Sequence, residues 1–320
     1  MKNISGGEFV LHGKIFFGIL VLFLSLSIFS SASSKKIEGR WRLDGSASAE
    51  LPRSFRYMSD DWKIEVRGKE PTRHGLDELR ASASAQPSLA ALTTIYNEIH
   101  EKDPDAKIFM VDLRQESHGY ANSLPVSWHV KHNAANAGKN SVEVEAIELE
   151  QLNGLRGIDT TFEPLGNADK QILKPITIIP RVIETERTAA EKIGFEYVRF
   201  AAADMQFPAP EVVDEFIIFA VNLPENSWLH FHCHAGHGRT TSFLVMYDIM
   251  KNPDVSLEEI CKRQYLLGGT NLLLEPEGDD WNSKMARDRA KKIRLFYEFI
   301  QGTRAEQIGL QWSEWLEVKQ

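Results

Sequence analysis

The chain has 320 residues, 42% of them hydrophobic and 26% charged, which suffices for one large core or two modest ones and excludes a disordered or fibrous protein. Its formal net charge of −8 at pH 7 argues against general nucleic-acid binding, which needs a basic face. An anionic ligand must therefore be held by a local basic pocket. With 2 cysteines in the whole chain, a disulfide framework is excluded as well.

The first 32 residues have the pattern of a secretory signal peptide. Two lysines precede a mostly apolar run at 15–29 without charged residues, and small residues follow it up to Ala32. The run is shorter than the roughly 20 residues that a membrane-spanning helix needs, which favours cleavage after Ala32 over a retained anchor. We therefore predict a signal peptide at 1–32, a secreted or periplasmic mature chain at 33–320, and no stable membrane insertion after cleavage.

The first regular elements of the mature chain are predicted at 89–99 and 108–113. Apolar residues recur at helical spacing in the first segment, whereas the second (IFMVDL) has the continuous apolar pattern of a buried strand. Residues 117–180 are richer in Asn, Gly and short alternating runs such as that of Val142 and Val144. This segment is predicted to be a small β-rich insertion rather than a separate domain.

Helices and strands alternate in the rest of the chain. The predicted elements are a helix at 189–193, a strand at 196–201, a helix from Pro210, a strand at 228–232, a helix at 243–249, a helix opened by a capping box of Ser256 and Glu259, and a long helix at 281–299. This alternation predicts an α/β fold with a mainly parallel central sheet flanked by helices. In such sheets, ligands lie at the carboxyl ends of the strands.

The loop after the strand at 228–232 has the composition of an anion-binding site. Residues 232–241 read HCHAGHGRTT. Gly236 and Gly238 allow the backbone N–H groups to converge, and the next helix adds the positive end of its dipole. Arg239 adds a planar fork of donors that suits two phosphate oxygens. The residues predicted to surround a bound phosphate are therefore His234, Ala235, Gly236, His237 and Gly238.

Cys233 lies at the base of this predicted cradle. The converging N–H groups and the helix end favour its thiolate, which can attack a phosphoryl group and form a phosphocysteine. The departing oxygen then needs a proton, and Asp204 follows a predicted strand at the same edge of the sheet. An isolated Asp there would more often be an N-cap or turn residue. Thr240 or Thr241 could donate a hydrogen bond to the sulfur and help it leave.

Three other interpretations of the loop remain open from the residues alone. A disulfide between Cys233 and Cys261 would make the cysteine structural. A non-enzymatic phosphate-binding module would need neither the thiol nor Asp204. A sulfur-transferring, rhodanese-like protein would also use a cysteine loop, but it would need neither Asp204 nor the Arg-Thr ending of the loop.

Further segments carry a family resemblance. They are WRLD at 41–44, LPRSFR at 51–56, VDLRQESHGY at 111–120, PVSWH at 125–129, PLG at 164–166, WLHFHC at 228–233 and RQYLLGG at 263–269. Together with the loop, whose pattern is His-Cys, five residues, Arg and then Thr, they resemble the protein-tyrosine-phosphatase-like inositol polyphosphate phosphatases of bacteria, the cysteine phytases. The loop indicates a phosphatase, and WRLD with VDLRQESHG indicates the subfamily. The resemblance covers essentially the whole mature chain.

The resemblance implies one phosphatase domain with a small partial β-barrel, no metal or other cofactor, and stepwise removal of phosphates from inositol hexakisphosphate. It implies that Cys233 is the nucleophile, Asp204 the general acid and Arg239 the phosphate clamp. Arg42 and Lys170 would contact the other phosphates. The predicted partner is thus a small polyphosphorylated substrate and not a nucleic acid. The alternative is the same chemistry on phosphotyrosyl protein or phosphoinositide lipid, including within a host cell.

The chain departs from the family pattern at several positions around the predicted site. Met205 stands where the family often has His, and Asn133 stands where an acidic residue is expected. Asn282 and Ala286 replace an expected Lys and Tyr, with Lys284 nearby. These departures bear on the preference among substrates and not on the chemistry.

The remaining candidates have simpler interpretations. His118 is predicted to pack or hydrogen-bond, and His232 to orient the loop. Lys131, His132 and Lys139 are predicted to be loop charges, either solvated or on the pocket rim. Trp281, Trp312 and Trp315 are predicted to be packing residues. His234 and His237, with ordinary pKa values of about 6.5, would add positive charge below about pH 6 unless they merely face solvent.

Overall fold

Residues 39–306 and 311–319 are described here by a computed structural model of the protein. The predicted signal peptide at 1–32 lies outside these residues, so its cleavage stays a prediction. Within the described ranges, none of the helices is both long and apolar enough to cross a membrane.

The secondary structure alternates through most of the chain. The strands are β1 (Arg40–Leu43), β2 (Arg56–Tyr57), β3 (Ala81–Ser84), β4 (Lys107–Arg114), β5 (His118–Ala121), β6 (Leu124–His129), β7 (Thr160–Phe162), β8 (Ile176–Ile178), β9 (Ile183–Thr185), β10 (Glu196–Ala202) and β11 (Ser227–His232). The helices are α1 (Leu89–Lys102), α2 (Ser141–Asn153), α3 (Asn167–Ile172), α4 (Glu186–Ile193), α5 (Pro210–Val221), α6 (Gly238–Lys251), α7 (Leu257–Leu266), α8 (Trp281–Glu306) and α9 (Trp312–Lys319).

A five-stranded sheet in the order β10-β4-β11-β3-β2 carries the site. The pairs β10–β4, β4–β11 and β11–β3 are parallel, and the edge strand β2 is antiparallel to β3. His232 at the end of β11 is in register with Ser84 of β3 and Asp112 of β4. The carboxyl ends of these parallel strands therefore meet at one edge, which confirms the predicted fold class.

Two apolar cores cover the faces of this sheet. Along β4, Val111 and Leu113 pack on one face, while Ile108 and Met110 pack on the other, as the two-residue period of a strand requires. The first face is covered by α5, α6, α7, α8 and α9, and the second by α1 and α4. The sheet is therefore buried on both sides.

A smaller antiparallel sheet in the order β1-β6-β5-β9 encloses a third core around Val126, Leu152 and Phe162. The hairpin of β7 and β8 joins it through a bridge between Arg42 and Glu163. This assembly is the small partial β-barrel. It is not built from residues 117–180 alone, because β1 precedes that segment and β9 follows it.

One local prediction was wrong. The alternation of Val142 and Val144 does not form a strand, because both residues lie in α2. The Asn140 side chain accepts the N–H of Glu143, and the Glu143 carboxylate accepts the N–H of Asn140. This reciprocal cap starts a helix and outweighs two alternating valines.

The capping box predicted at α7 is only half formed. The Ser256 hydroxyl accepts the N–H of Glu259 at 3.3 Å, so the predicted start of the helix is correct. The Glu259 carboxylate lies 3.6 Å from Lys69 Nζ instead of returning to the Ser256 N–H.

Trp312 joins α9 to the main core. Its ring is fully buried and lies 5.7 Å from those of Phe296 and Phe299. We expect Trp312→Ala to lower the free energy of unfolding by about 3–5 kcal/mol, because it leaves a large cavity. Val318→Ala on the same helix removes a side chain that is 83% exposed and is expected to change little. Urea denaturation measures both, and equal small losses would contradict this role of Trp312.

Candidate active site

The cysteine loop begins at the end of β11 and closes at the start of α6. Cys233 directly follows His232 and is buried, with 3% of its surface exposed. Cys233 and Cys261 are both free thiols, so the disulfide alternative is not found. The carbonyl of His234 accepts the N–H of Gln86, which ties the loop to the segment after β3.

Gly236 has to be glycine for two reasons. Its φ of +74° lies in the left-handed region. A Cβ there would also lie 2.6 Å from the backbone N of Ala85 and from the carbonyl carbon of Ser84. The loop backbone therefore packs directly on the end of β3, with no room for a side chain.

Arg239 is held by Glu116, which follows β4. Arg239 Nη1 and Nη2 donate to the two Glu116 carboxylate oxygens at 2.6 and 3.0 Å, and both side chains are buried. Burial alone would raise the pKa of Glu116, but the charges of Arg239 and Arg114 outweigh it and hold that pKa well below its usual range. Burial likewise opposes the charge of Arg239, yet Glu116 and Asp204 raise its pKa well above the ordinary value. The sequence analysis missed Glu116, although it follows a strand at the same edge as Asp204 does.

The remaining edge of the Arg239 guanidinium faces Asp204. Glu116 and the carbonyl of Ala202 use three of its five N–H groups. The Nε–H is buried and has no hydrogen-bond partner among the residues that the structure describes, while Nη2 lies 3.2 Å from Asp204 Oδ1. This edge can donate two parallel hydrogen bonds to a tetrahedral anion.

Asp204 lies in the turn after β10, with 30% of its side chain exposed. Its Oδ1 accepts the N–H of Met205, and its Oδ2 accepts Nδ2 of Asn133 at 2.7 Å. Met205 has a φ of +64°, and its carbonyl accepts a hydrogen bond from Arg289 of α8. The structure thus brings Asp204 together with Arg239, as predicted from their positions after parallel strands.

Arg42 is buried in a network of charges and is not on an exposed rim. Its Nε donates to Asp44 Oδ1 at 2.7 Å and to the Ser127 hydroxyl at 3.0 Å. Asp44 also accepts from Arg114, which in turn donates to Glu116. The Nη2 of Arg42 lies 3.9 Å from a Glu116 oxygen. Arg42 and Arg239 therefore belong to one connected network.

The expectation of ordinary pKa values at the loop histidines was wrong. Burial and the charge of Arg42 lower the pKa of His234, although Asp44, 3.4 Å from its Nε2, acts in the opposite direction. Burial and the charge of Arg56 lower the pKa of His237, whose ring nitrogen contacts the Ser54 hydroxyl at 3.2 Å. Both imidazoles would therefore gain their charge only at a lower pH than predicted.

Arg56 is a second residue that the sequence analysis missed. It is 1% exposed, and its Nη1 donates to the carbonyl of Gly236 in the loop. Burial lowers its pKa to about 10, while the charges of Cys233 and Asp60 oppose this change. Its place in the LPRSFR segment was noticed, but that pattern did not reveal that the side chain reaches the loop.

Two histidines meet a buried carboxylate beneath the loop. His232 Nε2 lies 2.8 Å from one Glu186 oxygen, and His118 Nε2 lies 3.1 Å from the other. Burial would raise the pKa of Glu186, but the two imidazoles hold it well below the usual range. His118 therefore hydrogen-bonds within the network, in agreement with its interpretation, and is not exposed to a ligand.

Thr240 and Thr241 have different surroundings. Both are fully buried. Thr241 Oγ1 accepts the N–H of Thr270 at 3.0 Å. Within the described part of the chain, Thr240 Oγ1 has no hydrogen-bond partner, so its hydroxyl has both its donor and its acceptor capacity available.

Lys170 is exposed on α3. The last residue of that helix, Ile172, and the following Leu173 line a cavity of about 220 Å³ together with Asp44 and Arg53. The structure therefore places Lys170 on a helix that borders a cavity next to Asp44 and does not bring it into contact with Arg239.

The remaining aromatic and loop candidates make three different sets of contacts. His132 stacks on Trp281 with ring centroids 4.0 Å apart, which joins the turn at Lys131–Asn133 to the start of α8. Lys139 pairs with Glu143 on the surface. Trp312 and Trp315 pack at α9. Trp281 and His132 thus pack together, and His132 directly precedes Asn133 in the chain.

This arrangement can bind and attack a phosphoryl group. A thiol lies at the base of a loop whose glycine backbone is fixed by packing, one edge of a buried guanidinium faces the same space, and a carboxyl group lies beside that edge. A thiol, a guanidinium and a carboxyl group are the chemical types that can act as a nucleophile, an anion clamp and a proton donor.

Comparisons with known proteins point to one family. The model of the PTP-like phytase family, described by the words inositol hexakisphosphate, matches residues 167–251. A solved PTP-like phytase from Bdellovibrio bacteriovorus is 32% identical with a TM-score of 0.67, and the match covers 87% of this chain and 94% of that one. The match is thus nearly complete for both proteins.

Two longer proteins are also similar. The PTP-like myo-inositol phosphatase of Mitsuokella multacida, solved with myo-inositol-(1,3,4,5)-tetrakisphosphate, is 39% identical with a TM-score of 0.80, over 87% of this chain and 49% of that one. Effector protein hopD2 of Pseudomonas syringae pv. tomato is 28% identical over 225 residues, which are 64% of this chain and 45% of that protein. The chain spans about half the length of these two relatives.

The packing of Gly236 predicts a loss of anion binding. Gly236→Ala should lower the free energy of unfolding by about 1–2 kcal/mol for the left-handed backbone, with an added cost from its backbone clash, and should abolish binding of tungstate in calorimetry. Gly138 is the matched control, because it has a φ of +76° and nothing within 4 Å of an added Cβ. Gly138→Ala should show only the backbone cost. Unchanged tungstate binding in Gly236→Ala would contradict the packing argument.

The pair of Glu116 and Arg239 predicts a pH-dependent stability. Because the pKa of Glu116 is below its ordinary value of about 4.5, its stabilisation is complete above that pH and is lost as the pH falls below it. At pH 7 we expect Glu116→Gln to cost about 3–5 kcal/mol, measured by urea denaturation, and less at acidic pH.

The exposed pair of Glu196 and Lys107, 3.0 Å apart, provides the control for that experiment. Glu196→Gln should cost less than about 1 kcal/mol at pH 7. A loss in Glu116→Gln that did not change with pH would contradict the assigned role of the carboxylate.

Proposed function

This chain belongs to the family of protein-tyrosine-phosphatase-like phytases, and on that premise we propose that it is a cysteine-dependent phosphatase that removes phosphates stepwise from inositol polyphosphates. The observation that carries the proposal is the geometry of Arg239. Its Nη2 lies 3.2 Å from the Asp204 carboxyl group, its Nε–H has no partner among the described residues, and the charge of Cys233 helps to raise its pKa. A module that only binds phosphate would need neither the Cys233 thiol nor the Asp204 carboxyl group.

The reaction has two steps. In the first, the thiolate sulfur of Cys233 attacks phosphorus, the bond from phosphorus to the ester oxygen breaks, and protonated Asp204 gives its proton to the departing oxygen. In the second, water attacks the phosphocysteine, Asp204 takes the proton of the water, and the sulfur leaves as a thiolate. Thr240 and Thr241 each retain a hydroxyl proton for that sulfur, because Thr240 Oγ1 has no hydrogen-bond partner among the described residues and Thr241 Oγ1 only accepts from the Thr270 N–H.

Binding of the phosphate also releases the general acid. In the structure, Asp204 Oδ1 lies 3.2 Å from the Nη2 of Arg239. A phosphate on that edge of Arg239 takes the place of Asp204 Oδ1, which frees the oxygen to turn toward the ester. The clamp and the acid are therefore coupled through one nitrogen.

Two observations support an inositol phosphate as the substrate class: the buried arginines near the loop and the ligand of a solved relative. The chain has a net charge of −8, yet buried Arg42, Arg56 and Arg239 surround the loop. The Mitsuokella protein was solved with an inositol tetrakisphosphate, which supports an inositol phosphate as the substrate of this chain. The exposed Lys170 would interact with phosphates that do not react. The predicted signal at 1–32 adds the proposal that the enzyme acts outside the cytoplasm.

The alternative substrates are phosphotyrosyl proteins and phosphoinositides. The similarity to effector protein hopD2 of Pseudomonas syringae pv. tomato favours testing them. The reacting phosphate would bind identically in all three cases, so the loop does not discriminate among them.

The test is phosphate release by the purified protein from inositol hexakisphosphate, a phosphotyrosyl peptide and a phosphoinositide in micelles. We expect the highest kcat/KM for the inositol phosphate and no loss of activity with a chelator. Cys233→Ser should reduce kcat on the order of a thousandfold or more. Cys261→Ser is the matched control, because burial raises the pKa of that thiol to about 12 and keeps it neutral.

Two results would overturn the proposal. A higher kcat/KM for the peptide or the lipid would transfer the function to that substrate. A Cys233→Ser variant within about tenfold of the wild type would remove the phosphocysteine step.

A further inference from the structure

Arg56 is a buried cation whose hydrogen bonds end on the main chain. The residue is 1% exposed, and its Nη1 donates to the carbonyl of Ser54 at 3.0 Å and to that of Gly236 at 2.9 Å. Its Nε and Nη2 have no hydrogen-bond partner among the residues that the structure describes. Burial lowers its pKa to about 10, so it remains charged at neutral pH. Because a buried charge is costly, its bonds to these two carbonyls need an explanation beyond stability.

The strand that carries Arg56 is fixed beside the cysteine loop. In β2, Arg56 lies opposite Ala83 of β3, and the end of β3 packs against the loop. The Ser54 hydroxyl lies 3.2 Å from the ring Nε2 of His237. This segment therefore contacts the loop at two consecutive residues, Gly236 and His237.

The hydrogen bond from Arg56 sets the direction of one N–H group in the loop. A peptide unit is planar and trans, so its C=O and its N–H point in opposite directions. The peptide between Gly236 and His237 has its carbonyl on Arg56, so its N–H, which belongs to His237, points away from Arg56. A glycine restricts the rotation of the following peptide less than other residues do. The bond from Arg56 therefore favours this orientation over a flipped peptide.

The N–H groups of this part of the loop are not used inside the protein. From Ala235 to Thr240, none of the backbone N–H groups donates to an oxygen of the residues that the structure describes. Thr241 is the first that does, to the carbonyl of His237 at 2.7 Å. The N–H groups at the start of a helix lack acceptors within it and are suited to a bound anion. The His237 N–H is one of this row of donors.

We propose that Arg56 is a positioning residue of the phosphatase, which holds the peptide between Gly236 and His237 so that the His237 N–H faces the oxygens of the reacting phosphate. This inference rests on the proposed function, because it treats the loop as the phosphate site. Donors that are oriented before the reaction stabilise the charge on a transferring phosphoryl group. In this role Arg56 acts through the loop backbone and does not touch the substrate.

The variant that tests this is Arg56→Met, which removes the donors and keeps an unbranched side chain. Loss of one oriented N–H should weaken the binding of tungstate, a tetrahedral dianion, by about tenfold to a hundredfold in calorimetry. We expect kcat/KM to fall on the order of a hundredfold for both inositol hexakisphosphate and p-nitrophenyl phosphate, because both present the reacting phosphate to the same N–H. Arg56→Lys restores a cationic donor and should recover part of the tungstate binding.

Arg80→Met is the matched control. Arg80 directly precedes β3, at the opposite end of the sheet, and its Nη1 also donates to a main-chain carbonyl, that of Glu225, at 3.3 Å. This variant should leave tungstate binding unchanged, although it also loses an arginine-to-carbonyl hydrogen bond.

NMR of the His237 amide separates positioning from a structural role. In protein labelled with 15N-histidine, the His237 signal is assigned by its loss in His237→Gln. Tungstate should shift this signal strongly in the wild type and much less in Arg56→Met. A purely structural role would lower the free energy of unfolding of Arg56→Met and leave its tungstate affinity and its His237 shift as in the wild type. That result would overturn the proposal.

Two further outcomes are decisive. If Arg56→Met does not fold, Arg56→Gln removes the charge and keeps a polar end, and unchanged tungstate binding in that variant would overturn the proposal. A wild type that binds no tungstate, or that binds it without a shift of the His237 amide, would also overturn it. If the wild type binds tungstate with that shift but releases no phosphate from any ester, the proposed function fails and the role of Arg56 in anion binding stands.

Discussion

The paired hydrogen bonds between Arg239 and Glu116 are the interaction on which the rest of the site depends. They lie between the start of α6 and the end of β4, in residues 123 positions apart, and they leave one edge of the guanidinium directed at Asp204. Glu116 also accepts from Arg114, which reaches Asp44 of the antiparallel sheet. A single carboxylate therefore aligns the anion clamp with both sheets.

Buried arginines and carboxylates such as these cost free energy to desolvate, and their contribution is to orient one another. Desolvation of several arginines and carboxylates can exceed the gain from their attraction, so the network is a poor source of stability. It does, however, hold the guanidinium groups rigid in a protein whose overall charge is acidic. Preorganised positive charge is what a transferring phosphoryl group requires.

The sequence predicted the parts of the site that depend on local order along the chain. Cys233, Gly236 and Arg239 follow β11 in one short segment, and Asp204 follows β10. Both strands are parallel to β4, so the sheet topology places these residues at one edge. The ionic partners could not be predicted in this way. The role of Glu116 becomes visible only when its partner Arg239 is known. Their pairing depends on the directions of side chains from distant elements and not on their spacing in the sequence.

The distribution of these ionic partners along the chain has a consequence for how the molecule folds. Arg114 and Asp44 are 70 positions apart, and Arg199 and Glu148 are 51 apart, so neither pair can form within one local segment. Until these distant segments come together, neither pair can form, and the groups that it joins retain part of their hydration, since burial of an incompletely paired ion is costly. The apolar faces can collapse earlier. We therefore expect water to leave these ionic contacts only after the apolar faces have collapsed, so the charged groups around Arg239 reach their final arrangement late in folding.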